Sequence, residues 1–248
     1  MRLRILAFLV TIMSLLPALE ALTRIVDIDG AGQYTSIQAA INESAPGDTI
    51  LVYPGRYLEN ISIIQKSNIS VISLEATSGN PTFIRSTIID GQAISWGMWI
   101  RQNSQNITIR GFSITNCKAG LGVSENSVAT IRNCDIYGNK SYNSAGFGAR
   151  SSTVYLSGVN IHDNYAYNMG GGVYINGING AVNVTFDPVN LCSIYNNTAG
   201  HGQDIVAQSI SSDLNIPLDM FSVLTPSTYY ATAFRTTGGD YQLIISAQ

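Results

Sequence analysis

Apolar positions in the middle of the chain recur in blocks rather than at a helical period. Setting NITIRGFSITNC (106–117) above ATIRNCDIYGN (129–139) places Ile109 on Ile131, Phe112 on Cys134 and Ile114 on Ile136. VYLSGVNIHDN (154–164) adds Leu156, Val159 and Ile161, and NLCSIYNN (190–197) adds Cys192 and Ile194. The half-repeats between these blocks also match: GMWIRQNS (97–104), GLGVSENS (120–127), GFGARSST (146–153), then the looser GGGVYING (170–177) and GQDIVAQS (202–209). Each full period carries at least two short strands between Gly- or Asn-rich turns, the signature of a solenoid. From Ile114 the steps to Ile136, Ile161 and Ile194 are 22, 25 and 33 residues, so the last coil needs a loop insertion within 176–189.

Stacking follows from the length of these strands. A pair this short cannot bury its apolar side alone, but coils about 4.8 Å apart can pair backbone to backbone and bury it against the next copy. Ile114, Ile136, Ile161 and Ile194 are then expected to form one interior file, and Phe112, Cys134, Val159 and Cys192 another. Cys134 and Cys192 fall two coils apart, roughly 10 Å, too far for a disulfide. Cys117 lies in a turn column with Asn139, Asn164 and Asn197, whose amides are placed to bond the backbone of neighbouring turns.

Before the repeats the pattern changes once. In YTSIQAAINESAPGDTILVYPGRYLENISI (34–63), Thr35 or Ser36 can cap a helix whose one face carries Ile37, Ala40 and Ile41. Pro46-Gly47 stops it, TILVY follows as a strand, and Pro54-Gly55 breaks that strand. Such a helix is suited to covering the first open edge of a stack. After residue 60 no further helix is expected. The last forty residues keep strand-like runs but lose the repeat, and Gly238-Gly239-Asp240 reads as a hairpin turn before YQLII.

Composition narrows the class. Only 12% of residues are charged and the mean hydropathy is +0.14, too apolar for disorder. No basic run points to nucleic acid. MRLR, then ILAFLVTIMSLLP, then ALEA read as a secretory signal peptide ending at Ala21, so the protein is expected to be secreted or at the cell surface. Without Arg2, Arg4 and Glu20 the charged side chains number 11 basic and 15 acidic. Strong attraction to an acidic polymer is therefore not expected. Three cysteines remain, an odd count with no zinc spacing.

DGAGQYTSIQAAINESAPGDTILVYPGRYLE (29–59) and the coils from about 97 to 208 resemble the pectin-lyase-like right-handed parallel β-helix superfamily. The coils containing NYAYNMGGGVYI (164–175) and NNTAGHGQDI (196–205) are also similar to repeats of bacterial outer-surface β-helix proteins. The resemblance implies an all-β fold, a right-handed single-stranded parallel β-helix with a short N-terminal capping α-helix. Residues 1–21 are then the signal peptide, 22–60 the cap helix and first strands, 61–208 the coils, and 209–248 strands closing or continuing the solenoid. Many members act on or bind acidic polysaccharides, and others are adhesins or surface proteins without known catalysis. Fold alone does not choose among these.

The catalytic signatures implied by the resemblance are missing. Gly200-His201-Gly202 matches the Gly-His-Gly of polygalacturonases, but their Asp-Asp pair and Arg-Ile-Lys are absent, and the coil before His201 offers only Asp187. Inverting hydrolysis needs two carboxyls across one bond, so this triplet reads as a structural turn. The Asp-containing core motifs of pectin methylesterases are also absent. A pectate-lyase calcium site needs stacked acids, and the column Ser113, Asp135, Asn160, Ser193 holds one carboxylate. No metal or cofactor is expected.

Two outward columns remain as candidates. The position after each interior Ile holds Thr115, Tyr137, His162 and Tyr195, so Tyr137, His162 and Tyr195 make a strip of rings at coil spacing. Aromatic faces can pack on sugar rings, and the plainer alternative is a ladder that stiffens the stack. Arg110 and Arg132 share another column and are placed to touch an acidic ligand, or simply form a solvated face with Arg132 near Asp135. The function expected is a non-catalytic secreted or surface module that binds a polysaccharide, a surface glycan or a partner protein. Its membrane contact would come only through the signal peptide or a larger assembly. The alternatives are a polysaccharide-degrading enzyme with a different active site and a structural stalk of a larger surface protein.

Overall fold

The computed structural model describes residues 20–222, 234–237 and 242–247. Residues 1–19 of the expected signal peptide lie outside the described residues, as does Gly238-Gly239-Asp240.

Among the described residues the structure is all-β, 51% strand and 8% helix, and its sheets are parallel. A first sheet of seven strands runs from Thr23–Val26 to Asn183–Phe186; a second of eight, from Gly55–Tyr57 to Leu243–Ala247. A third of seven runs from Ile61–Ile64 to Phe234–Thr237, and a fourth joins Lys140–Asn143, Tyr165–Met169 and Thr198–His201. From Thr49 to Gln208 the chain visits the first, second and third sheets in turn, and each new strand pairs with the one a circuit earlier. This arrangement is compatible with a parallel β-helix.

The isoleucine file is present and longer than the repeats indicated. Ile114 pairs with Ile136, Ile136 with Ile161, and Ile161 with Ile194, while upstream Tyr57 and Ile89 join the same column. All are 0–1% exposed. Phe112, Cys134, Val159 and Cys192 are likewise buried, linked coil to coil by Asp135 N–H to the Phe112 carbonyl, Asn160 N–H to Cys134 and Ser193 N–H to Val159. The three thiols are free. Burial pushes Cys117 and Cys134 up to about 12 and Cys192 to about 11, so all are protonated at neutral pH.

The corner after the second sheet has its own chemistry. Asn116, Gly138, Asp163 and Asn196 turn the chain there with φ between 52° and 65°. Gly, Asn and Asp adopt that left-handed conformation most readily. The next residue in each coil points inward. Asn139 Oδ1 accepts from Cys117 N–H, Asn164 Oδ1 from Asn139 N–H and Nδ2, and Asn197 Oδ1 from Asn164 N–H and Nδ2. Asn197 passes the chain to Asp204. These amides are 1–3% exposed, so every bond they make replaces water that cannot enter. Gly120 and Gly146 lie against this ladder: an added Cβ would meet Asn139 Nδ2 at 3.0 Å and Asn164 Nδ2 at 2.9 Å.

Three expectations are corrected. Helices do occur after residue 60, at Glu75–Ser78 and Thr82–Ser86. Single turns of four and five residues are too short to show an amphipathic period. The insertion in the long coil is divided between 177–182 and 187–191, so it runs past 189. The strands flanking Gly238-Gly239-Asp240 do not form a hairpin. Phe234–Thr237 pairs with Ile205–Gln208 in the third sheet, and Leu243–Ala247 with Leu214–Phe221 in the second. Each finds its backbone partners one coil back.

The helix expected near the N-terminus spans Ile37–Glu43 and buries Ile37, Ala40 and Ile41. Ser36 Oγ accepts from Ala39 N–H as its N-cap. Glu59 accepts from Ile37 and Gln38 N–H, and the Gln38 amide bonds both backbone groups of Ser62 at the edge of the third sheet.

Replacing Asn164 by Ala strands the buried Asn139 amide and removes the side-chain donor to the Ile136 carbonyl. We expect a loss of about 3 kcal/mol in urea-unfolding free energy; a loss under about 0.5 kcal/mol would show that the ladder is not stabilising. In the native state none of the three thiols reacts with a disulfide reagent at neutral pH, and all react once the chain is unfolded.

Candidate functional site

The second sheet brings Tyr137, His162 and Tyr195 into one column, with Tyr137 paired to His162 and His162 to Tyr195. Their rings are stacked at centroid distances of 5.4 and 5.0 Å with interplanar angles of 7° and 6°. The faces therefore cover one another and the ring edges point outward. His162 is fixed at both nitrogens, 2.9 Å from Asp135 Oδ1 and 2.7 Å from Asp163 Oδ2. The hydrogen bond to Asp135 raises its pKa, burial opposes this, and Asp163 adds to it.

Arg110 and Arg132 pair in the first sheet, away from the ring column. Arg110 lies against the Glu75–Ser78 turn and donates to Glu75 at 2.8 and 3.1 Å; Asn133 Nδ2 donates to the same carboxylate. Burial lifts the Glu75 pKa, but the bonds from Arg110 and Asn133 outweigh it and hold the carboxyl below its ordinary value. Arg132 sits over Tyr155, with the guanidinium carbon 5.5 Å from the ring centroid. Glu75 thus already neutralises one of the two cations.

A groove of about 640 Å³ opens elsewhere, on the outward face of the third sheet, within the size range of ligand sites. One outward column explains it: Trp99 pairs with Gly122, Gly122 with Gly148, and Gly148 with Tyr174. Two steps of this column carry no side chain. Trp96 folds over the first of them: a Cβ on Gly122 would lie 2.4 Å from Trp96 Cζ3. Only the tip of the same ring reaches Gly148, with Cη2 3.0 Å from that residue's would-be Cβ. Trp96 and Trp99 stack at 5.8 Å, and Arg101 lies 4.1 Å above the Trp99 ring.

The walls are held by their polar tips. Trp99 Nε1 donates to Ser124 Oγ at 2.9 Å, and Tyr174 Oη donates to Gln208 Oε1 at 2.6 Å while accepting from Asn176 Nδ2 at 3.0 Å. Burial pushes the Tyr174 phenol up, so it is neutral at physiological pH. Aromatic walls locked by hydrogen bonds form a site that needs little ordering on binding. Sequence reasoning missed this site because it matched GGGVYING and GQDIVAQS to the earlier half-repeats from their first glycines. The register instead sets Val173 on Phe147 and Ile205 on Val173. Aligning Gly146 with Gly172 would have put Trp99, Gly122, Gly148 and Tyr174 in one column.

Among the described residues no group of three or more His, Cys, Asp or Glu converges to hold a metal. The chain matches no protein-family model and no curated protein.

The raised His162 pKa has a signed consequence. Protonated His162 stabilises the folded state fully below its unfolded value of about 6.5, and that contribution is lost as pH rises through the higher folded value. Stability measured from about pH 6 to 9 should therefore fall more steeply in the native protein than in His162→Gln. Parallel curves would mean that the two carboxylates do not favour the imidazolium.

Proposed function

We propose that the chain is an exported right-handed parallel β-helix module that binds glycans, without catalysis, in the groove of the third sheet. The Ile37–Glu43 helix serves in this reading as the cap over the first coil. Export is supported by the basic, apolar and small-residue order of the first 21 residues. The observation that carries the binding reading is the run Trp99, Gly122, Gly148, Tyr174: two aromatic residues bracketing two positions without side chains. Aromatic rings with satisfied polar tips suit a sugar ring, which presents C–H groups to a face and hydroxyls at its rim.

The same groove supports the non-catalytic half of the reading. Glu125 is the one carboxylate in its lining, whereas glycoside hydrolysis by the usual routes needs two across the bond. The stacked Tyr137, His162 and Tyr195 fit better as a stiffening ladder than as a sugar platform, because both faces of His162 and one face of each tyrosine are already covered.

A glycan array with the native protein should give saturable binding to a subset of glycans. Trp99→Ala and Tyr174→Ala should each weaken that binding about tenfold or more. A triple Ser variant at Tyr137, His162 and Tyr195 that still folds should retain it. Binding lost in the triple variant but kept in the groove variants would move the site to the ring column.

A further inference from the structure

The groove's chemistry narrows the ligand. Its lining holds one acidic side chain, Glu125, and one basic side chain, Arg150, and Arg101 lies beside it over the Trp99 ring. The remaining polar groups are neutral amides and hydroxyls, among them Asn126, Asn143, Asn176 and Ser151. The molecule as a whole carries a net charge of −3. A ligand with a carboxylate on every sugar would find two cations here, Arg150 and the Trp99-stacked Arg101, offset by Glu125, on a negative protein. A neutral ligand rich in hydroxyls would find donors and acceptors without that opposition.

A second observation lies at the floor. Ser144 lines the groove, is 5% exposed, and has a hydroxyl oxygen with no hydrogen-bond partner. That oxygen stands beside Gly148, 2.3 Å from where a Cβ there would be. Its backbone is fixed with φ at 60° by a bond from Ser144 N–H to the Met169 carbonyl. A buried hydroxyl left unpaired costs stability, which a folded protein normally avoids. Its O–H is free to rotate and can donate to, or accept from, a ligand group that reaches the floor beside Gly148.

Resting on the glycan-binding reading above, we propose that the groove selects a neutral pyranose residue of an oligosaccharide. Its ring packs on the aromatic walls of the groove, and one of its hydroxyls bonds the Ser144 hydroxyl.

The test is calorimetric titration of the native protein with hexamers of β-1,4-linked glucose, β-1,4-linked mannose and galacturonate, at about 50 and 500 mM salt. At least one neutral hexamer should bind, with less than about a twofold change between the two salts. Ser144→Ala and Ser144→Gly should weaken it about fivefold or more. Ser144→Gly should keep the native Tm or raise it, because glycine suits the positive φ and removes the unpaired hydroxyl. Binding of galacturonate alone, or a steep loss with salt, would overturn the neutral class while leaving the glycan reading standing. Unchanged affinity in both folded Ser144 variants would overturn the hydroxyl contact. No binding by any hexamer here or any glycan on the array would overturn the glycan reading itself.

Discussion

Backbone pairing between successive coils is the constraint on which the molecule depends. Once Ile114 lies on Ile136 and Ile136 on Ile161, every other position in those strands is fixed relative to its neighbours above and below. Side chains alternate between inside and outside, so a slip of one residue would turn the whole apolar file to water. The apolar interior, the polar corner and the outer face are therefore one decision expressed three times. Residues that match inside make files of Ile, residues that match at the corner make a chain of Asn, and residues that match outside make walls and floors.

The corner holds the register most tightly. An amide that accepts from the coil before it and donates to the coil after it tolerates little shift in either direction. Asn164 does both, giving to Asn197 and receiving from Asn139. Where the ladder ends, Asp204 takes the donor bonds of Asn197; burial raises its pKa, although those bonds partly offset the effect. The glycines beside the ladder let the third sheet begin at close range, and that sheet then carries the groove. Core packing and site shape share a cause here: the bare positions at Gly122 and Gly148 lie two residues beyond the close-packed Gly120 and Gly146.

Much of this was legible in the sequence. The Ile file, the Phe112–Cys192 file, the turn column and the helix capped at Thr35 or Ser36 all follow from aligned repeats and cap chemistry. The strip of Tyr137, His162 and Tyr195 was also legible as a column, but not the direction its rings face, which depends on stacking geometry rather than spacing. Glu75 was not legible as the partner of Arg110, because it sits in a single helical turn 35 residues away with no periodic signal. The groove was hidden by glycines in two roles. Some of them pack against the corner and some leave space outside, and only the register tells Gly146 from Gly148.

The chain contains two tryptophans, Trp96 and Trp99, and both line the groove. Their fluorescence therefore reports on that site alone. The most direct measurement is the tryptophan emission of the native protein during titration with a glycan that it retains. A saturable change whose midpoint equals the calorimetric Kd is the predicted result. Full glycan binding with unaltered emission would contradict the assignment of this groove as the place where the protein meets its ligand.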